Sequence, residues 1–290
     1  MTVTYLGVPI DSVGRAGGTE GAPVAMRGLG ERFWGEDAGD LDVRVRGEDR
    51  DPVTGIAASD GVLAMTGVVA SAVHALVASG AVPFVMGGCC SLLPGALAGA
   101  RRAVGSLGLA YLDGHLDLYT GETSPTGEAA DMAMAVLLGL GPRAWVDATN
   151  GPVLRPDQTA IVGYRDLDEA LTYGHPHPDT FDGLVHLDAD LVRAHGPRAV
   201  GGEVARRLHA SPRRHWVHLD VDVLDETVMP ATDYLMPGGL SWSELEEVMA
   251  PIVAKPGLVG VSVACYNPEK DPDGSSGRPL ASMLARVVEG

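Results

Sequence analysis

Asp113, His115 and Asp117 alternate within the segment DGHLD, and Asp220 and Asp222 alternate within HLDVDVLD, with Asp225 just beyond. In an extended chain, side chains two apart point to the same face, so each segment presents its polar groups together. The second segment is otherwise apolar: Trp216, Val217, Leu219, Val221, Val223 and Leu224. Carboxylates concentrated in such a setting are costly unless something neutralises them. Two acidic strand ends side by side would repel each other without a cation between them. Four carboxylates and one imidazole suit a pair of hard or borderline divalent ions such as Mn²⁺. Bridging carboxylates permit a shared hydroxide, formed at neutral pH because a bound ion lowers the pKa of water. Hydrolysis is the chemistry that follows. A single D-x-D is a weaker signal, often a cap or a solvated strand end. HLDADL is read that way, with Asp188 and Asp190 opening a helix.

These groups need elements to position them. Short β-branched runs predict strands at 3–9, 42–46, 83–87, 107–113, 159–164, 183–187, 215–222 and 257–266. Longer amphipathic stretches predict helices near 23–33, 58–79, 91–103, 130–139, 201–210, 242–253 and 278–288. Alternating strands and helices imply an α/β domain, a parallel sheet covered on both faces. In open parallel sheets, ligands bind outside the carboxyl ends of the strands. The unusual segments GGCCS, DGHLDLYT, DVDVLDE and CYNPEKD all fall at such ends.

Bulk properties set limits. The 290-residue chain is 46% hydrophobic and carries a formal net charge of −17, which disfavours nucleic acid and anionic membranes as partners. No segment has the build of a signal peptide, and no apolar run is expected to span a membrane. Cys89, Cys90 and Cys265 are too few for a disulfide framework, so a reducing cytoplasm is the expected compartment. One domain over 1–290 is the simplest reading, since neither 173–180 nor 267–279 is long enough to separate two.

GGCCS, DGHLD and HLDVDVLD resemble the signature segments of the ureohydrolase superfamily, which includes arginase, agmatinase and formimidoylglutamase. YLGVPIDSVG with GAPVAMRGLG, MPATDYLMPGGLSWSEL and YNPEKD extend the resemblance over nearly the whole chain. It implies a three-layer α/β/α domain with a parallel sheet of about eight strands, subunits assembled as trimers or hexamers, and hydrolysis of guanidines or amidines at a binuclear manganese site. Carried over position by position, Asp113 and Asp220 would bridge the metals, Asp117 would complete the first shell and hold the hydroxide, and His115 and Asp222 would bind the second ion.

Three positions depart from the family. Its first signature is usually Gly-Gly-Asp-His-Ser, so Cys90 stands at a histidine ligand position and Cys89 at the aspartate. A thiolate favours Zn²⁺ or Fe²⁺ over Mn²⁺. A cysteine here is also similar to the Nω-hydroxyarginine hydrolases. Cys265 stands where the family has a glutamate for the substrate guanidinium, and a neutral thiol cannot form that bidentate pair. The proton-shuttling histidine falls on Ala130, leaving Glu128 and Asp131 as acidic candidates for proton transfer. Tyr119, Ser124, Thr126 and Glu128 occupy the loop that in arginase holds the amino-acid end of the substrate, and Glu128 and Asp131 could receive a cationic head group.

The resulting expectation is a metal-dependent C–N hydrolase for a non-arginine guanidine, hydroxyguanidine or amidine, a small and cationic substrate. A pseudoenzyme keeping the fold is the first alternative, and thiol-based amidine chemistry at Cys265 or Cys90 the second. The latter needs a base, His115 or His218. His218 alternates with Asp220 and can stand behind a ligand, while His74, His175 and His177 are read as structural or loop residues.

Overall fold

The computed structural model describes residues 2–12, 17–29, 34–210, 213–254 and 256–289. Eight strands form one parallel sheet: β1 Val3–Val8, β2 Glu36–Asp40, β3 Val82–Gly87, β4 Gly108–Leu112, β5 Thr159–Val162, β6 Val185–Leu187, β7 His215–Asp220 and β8 Leu258–Ala264, in the order β2-β1-β3-β8-β7-β4-β5-β6. The central strands are buried along their length, which is why they read as apolar runs rather than as alternating patterns.

Side chains still alternate between the two faces. Phe84, Met86, Ala110, Leu112, Val217 and Leu219 join one core, with α1 Ala22–Gly28, α7 Ala189–His195, α8 Pro197–Ala210, α9 Trp242–Val253 and α10 Gly277–Glu289. Val85, Leu109, Tyr111 and Trp216 join the other, with α2 Ser59–Ala78, α3 Leu93–Val104, α4 Ala133–Leu138, α5 Arg143–Ala148 and α6 Leu167–Thr172. The fold is thus the expected three-layer α/β/α sandwich.

Several expectations need correction. The run 42–46 is not a strand; the edge strand lies just before it, at Glu36–Asp40, paired to β1. Val43 and Val45 are buried in the α2 core, so their apolar pattern reflects packing against a helix rather than ladder pairing. Helices α5 and α6 were not foreseen, and the stretch predicted over 23–33 is helical only over Ala22–Gly28 among the described residues. Helix α2 does have the length and apolar composition to cross a membrane. In this fold one face of it, including Val62, Met65, Val69 and Val73, is buried in the core. Two glycines of α3 let the helices approach: a Cβ at Gly99 would lie 2.3 Å from the Ala70 carbonyl oxygen, and one at Gly95 would lie 2.7 Å from that of Thr66. Asp188 caps α7 by accepting from the Leu191 N–H, as expected.

Candidate metal centre

Strands β3, β8, β7 and β4 are neighbours in the sheet, so the segments that follow them meet at one place. A cleft of about 460 Å³ opens there, and Cys90, His115, Asp117, Asp220, Asp222 and Cys265 all line it. The strands end earlier than expected, β4 at Leu112 and β7 at Asp220. Asp113, His115 and Asp117 therefore lie on a loop, and Asp222 on a short 3-10 turn over Val221–Val223. What aligns them is a local network. Asp113 Oδ1 accepts from the His115 N–H at 2.7 Å, and Asp220 Oδ1 accepts from the Asp222 N–H at 2.9 Å. The Gly114 N–H donates to Asp222 Oδ1 at 3.0 Å, tying the two loops together. Arg165 fixes the second loop from outside, donating to the carbonyl oxygens of Asp222, Val223 and Gly163.

Among the described residues, three overlapping groups hold donor atoms close enough for a metal ion: Asp113, His115 and Asp222; Cys90, Asp113 and His218; and Cys90, Asp220 and Cys265. The first contains two carboxylates and an imidazole, His115 Nδ1 lying 3.2 Å from Asp222 Oδ2 and 3.5 Å from Asp113 Oδ1. This donor set fits a divalent ion such as Mn²⁺. The other two groups meet at Cys90 and contain sulfur, a softer set of donors than the first. Asp117 stands outside all three groups. Its carboxylate accepts from the buried Tyr111 hydroxyl, and its backbone is left-handed, at φ 49°.

Electrostatics explain why these groups ask for a cation. Burial, then Asp222, pushes Asp113 above the usual carboxylate range. Burial and Asp113 push Asp117 well up, and burial and Asp222 do the same to Asp220. Asp222 goes the other way: burial is outweighed by His115, the Gly114 N–H and Arg165, and it stays low. His115 is raised despite its burial, because Asp222 and Asp113 face it. Burial raises the Cys90 thiol, and the nearby carboxylates add to this.

The outer wall is less like the expectation. Tyr119, Thr126, Glu128, Ala130 and Asp131 line the cleft, but Ser124 does not. Ser124 Oγ instead donates to Asp131 Oδ2 at 2.8 Å, and Thr126 Oγ1 donates to the same oxygen at 3.2 Å. Two residues read as substrate contacts therefore hold a third. Burial pushes Asp131 up to about 7. Glu128 accepts from the Tyr234 hydroxyl, so it is tied to the cleft mouth. His175 has a clearer role than a loop residue: its Nε2 accepts from the Leu118 N–H at 3.0 Å and its ring meets Tyr119 edge-on at 5.0 Å.

Asp166 and Glu169, also in the wall, were missed. The signal was present, since Asp166 follows the carboxyl end of β5 in GYRDLD. Burial raises Asp166 to about 6. Among the described residues, Asp131 Oδ1, Asp166 Oδ1, Ser12 Oγ and Thr232 Oγ1 in this wall are buried with no hydrogen-bond partner. Buried polar atoms of this kind are ordinarily satisfied, and all four belong to residues that line the cleft.

Comparisons with known proteins bear on the family and the fold. The Arginase family model matches residues 1–288. The arginase of Bacillus subtilis (strain 168) is 27% identical over 296 residues, covering 99% of this chain and 97% of that protein. The N(omega)-hydroxy-L-arginine amidinohydrolase of Streptomyces lavendulae is 32% identical over 165 residues, 56% of this chain and 52% of its own. The native arginase structure from Bacillus caldovelox has the same fold, with a TM-score of 0.88 at 24% identity over 100% of this chain and 99% of that one. A sheet of this order, acidic segments at the ends of β4 and β7, and a family match over almost its full length together show that the chain belongs to the arginase family of ureohydrolases.

Proposed function

We propose that this chain hydrolyses a C–N bond in a guanidine, hydroxyguanidine or amidine other than arginine, using divalent ions held at the floor of the cleft. The observation that carries this reading is the convergence of Asp113, His115 and Asp222, beside Cys90 and Asp220, at one end of a buried sheet. Ions bound there supply a nucleophile at neutral pH by lowering the pKa of water. The chain's own groups do the rest. Asp117, held by Tyr111, is placed to accept and release a proton at the reacting centre. Asp131, raised to about 7, can carry a proton between the cleft and solvent, in place of the histidine replaced by Ala130.

The substrate end of the cleft supports a change of specificity. Cys265 gives no carboxylate to clamp a guanidinium. An N-hydroxyguanidine is less basic than a guanidine, so it loses less by facing a neutral thiol. The relative from Streptomyces lavendulae, named for hydroxyarginine, favours that option. At the wall, the acidic residues Glu128, Asp131, Asp166 and Glu169 favour a substrate that carries an ammonium or similar cation. Mn²⁺ is the ion we assign to the second position. The three cysteines are free, in keeping with a reducing cytoplasm, and we expect a homo-oligomer as in relatives.

One observation favours a second reading. His218 Nε2 lies 3.3 Å from Cys90 Sγ, a thiol–imidazole pair of the kind that nucleophilic catalysis uses. Against it, burial and carboxylates raise the thiol, and burial lowers His218 to about 3, which makes it a poor base. A substrate panel with and without exhaustive chelation separates the two. Metal-dependent release of urea, hydroxyurea or ammonia supports the first reading. Turnover that survives chelation and is abolished in Cys90→Ser establishes the second, and no turnover on any panel member refutes both.

A further inference from the structure

We infer that the first metal position is rebuilt as a sulfur-rich site, with Cys90, Cys265 and Asp220 as donors and His218 closing on the same sulfur, and that it selects a softer ion such as Zn²⁺, Fe²⁺ or Co²⁺. The inference rests on the cleft floor being a metal centre, as proposed above, but not on turnover.

Cys90 Sγ is the hub. Asp220 Oδ2 lies 2.7 Å from it, His218 Nε2 3.3 Å, Cys265 Sγ 3.8 Å and Asp113 Oδ2 3.8 Å. A small buried thiol that merely packs is surrounded by apolar atoms; this one is surrounded by donors. Cys265 reaches the hub from a left-handed backbone at φ 67°, a conformation unusual for a residue with a side chain. Its N–H donates to the Gly88 carbonyl oxygen at 2.6 Å, which anchors the end of β8 to the turn that carries Cys90. His218 is oriented as ligating imidazoles are, with one ring nitrogen tied and the other presented. Its Nδ1 lies 2.7 Å from Ser262 Oγ, an oxygen also held by the Trp216 indole N–H, and its ring stacks on Tyr111 at 5.1 Å.

Cys90, Cys265 and Asp220 offer two sulfurs and a carboxylate, with the His218 imidazole on the Cys90 sulfur, and such a sulfur-rich set suits Zn²⁺ and its borderline neighbours rather than Mn²⁺. The second position, Asp113 with His115 and Asp222, has no sulfur. The two positions then differ in the ion they prefer, with Asp113, a donor of the second, 3.8 Å from the Cys90 sulfur of the first. Cys89 stands at the rim of this group: its sulfur faces the Ser12 N–H, Thr19 and Asp11, and it also meets the Cys265 thiol.

The test uses the full chain, reduced, stripped of metal and titrated with Co²⁺, which reports sulfur ligation by sulfur-to-cobalt charge-transfer absorption. The band should appear, persist in a large excess of Mn²⁺ and disappear on adding Zn²⁺. It should be lost in Cys90→Ser and fall by about half in Cys265→Ser and in Cys265→Ala. His218→Gln should weaken Co²⁺ binding by about tenfold or more. Circular dichroism of each variant shows that the fold is intact. Absence of the band, a band unchanged in both Cys265 variants, or Mn²⁺ displacing it as readily as Zn²⁺ would overturn the assignment. A protein that shows the band and hydrolyses nothing would sink the proposed activity and leave the metal site standing. Hydrolysis with Mn²⁺ and no band would do the reverse.

Discussion

Asp131→Asn tests the reading of the cleft wall through stability. In the fold, burial holds the carboxyl at about 7, while an unfolded aspartate titrates at 3.8. Between these values the native state keeps a proton that the unfolded state releases. The group's contribution is therefore fully present below pH 4 and is lost as pH rises through 7. The slope is about 1.4 kcal/mol per pH unit over roughly three units, on the order of 4 kcal/mol as an upper figure. Asparagine is nearly isosteric, and its carbonyl can still accept from Ser124 and Thr126, a loss of about 1 kcal/mol at most. The variant should therefore be slightly less stable than the parent at pH 4 and more stable by about 2–4 kcal/mol at pH 8. Urea denaturation at pH 4, 6 and 8 measures this, because the difference between the two proteins cancels every other titrating group. Parallel stability curves across that range would refute the assignment of a buried, protonated Asp131.

Other perturbations follow from the same structure. Asp117→Asn should cut turnover by about 10²–10⁴ while the second position still binds Mn²⁺, as elemental analysis would report. Tyr111→Phe leaves a buried carboxylate oxygen without its donor, so activity should fall and the melting temperature drop, the cost being about 1–3 kcal/mol. Gly99→Ala puts a methyl against the Ala70 carbonyl and should cost about 1–3 kcal/mol, read as a lower Tm with unchanged metal content. Chelation should abolish hydrolysis and readdition of metal should restore it.

Most of the framework was legible because buried parallel strands are written as apolar runs and the site lies at their ends. The edge strand was not, because Glu36–Asp40 is exposed and acidic and has no core to write a pattern for, while Val43 and Val45 mimic a strand by packing on a helix. Asp113, His115 and Asp222 were found from spacing, although the spacing acts through turns rather than through an extended strand. The place of Asp117 was not, since a left-handed residue breaks the alternation that the argument assumed. Nor was the meeting of Cys90 with Cys265 and His218. Cys265 enters through a backbone conformation that no residue pattern announces. Ser124 and Thr126 were placed correctly in their loop but face Asp131, a choice made by local hydrogen bonding.

The contacts around Cys90 also bear on how the protein is made. Asp220 is 130 residues away along the chain and Cys265 is 175. β8, the last of the eight strands in chain order, inserts between β3 and β7. Until it does, β3 and β7 have no common neighbour and the hub has no second sulfur. Such non-local pairing makes folding slow and leaves strand edges open to misassembly meanwhile. A chain in which β8 has not yet paired carries the carboxylates of the second position but not the dithiol, so on the proposed assignment a softer ion would be taken up only once β8 is in place.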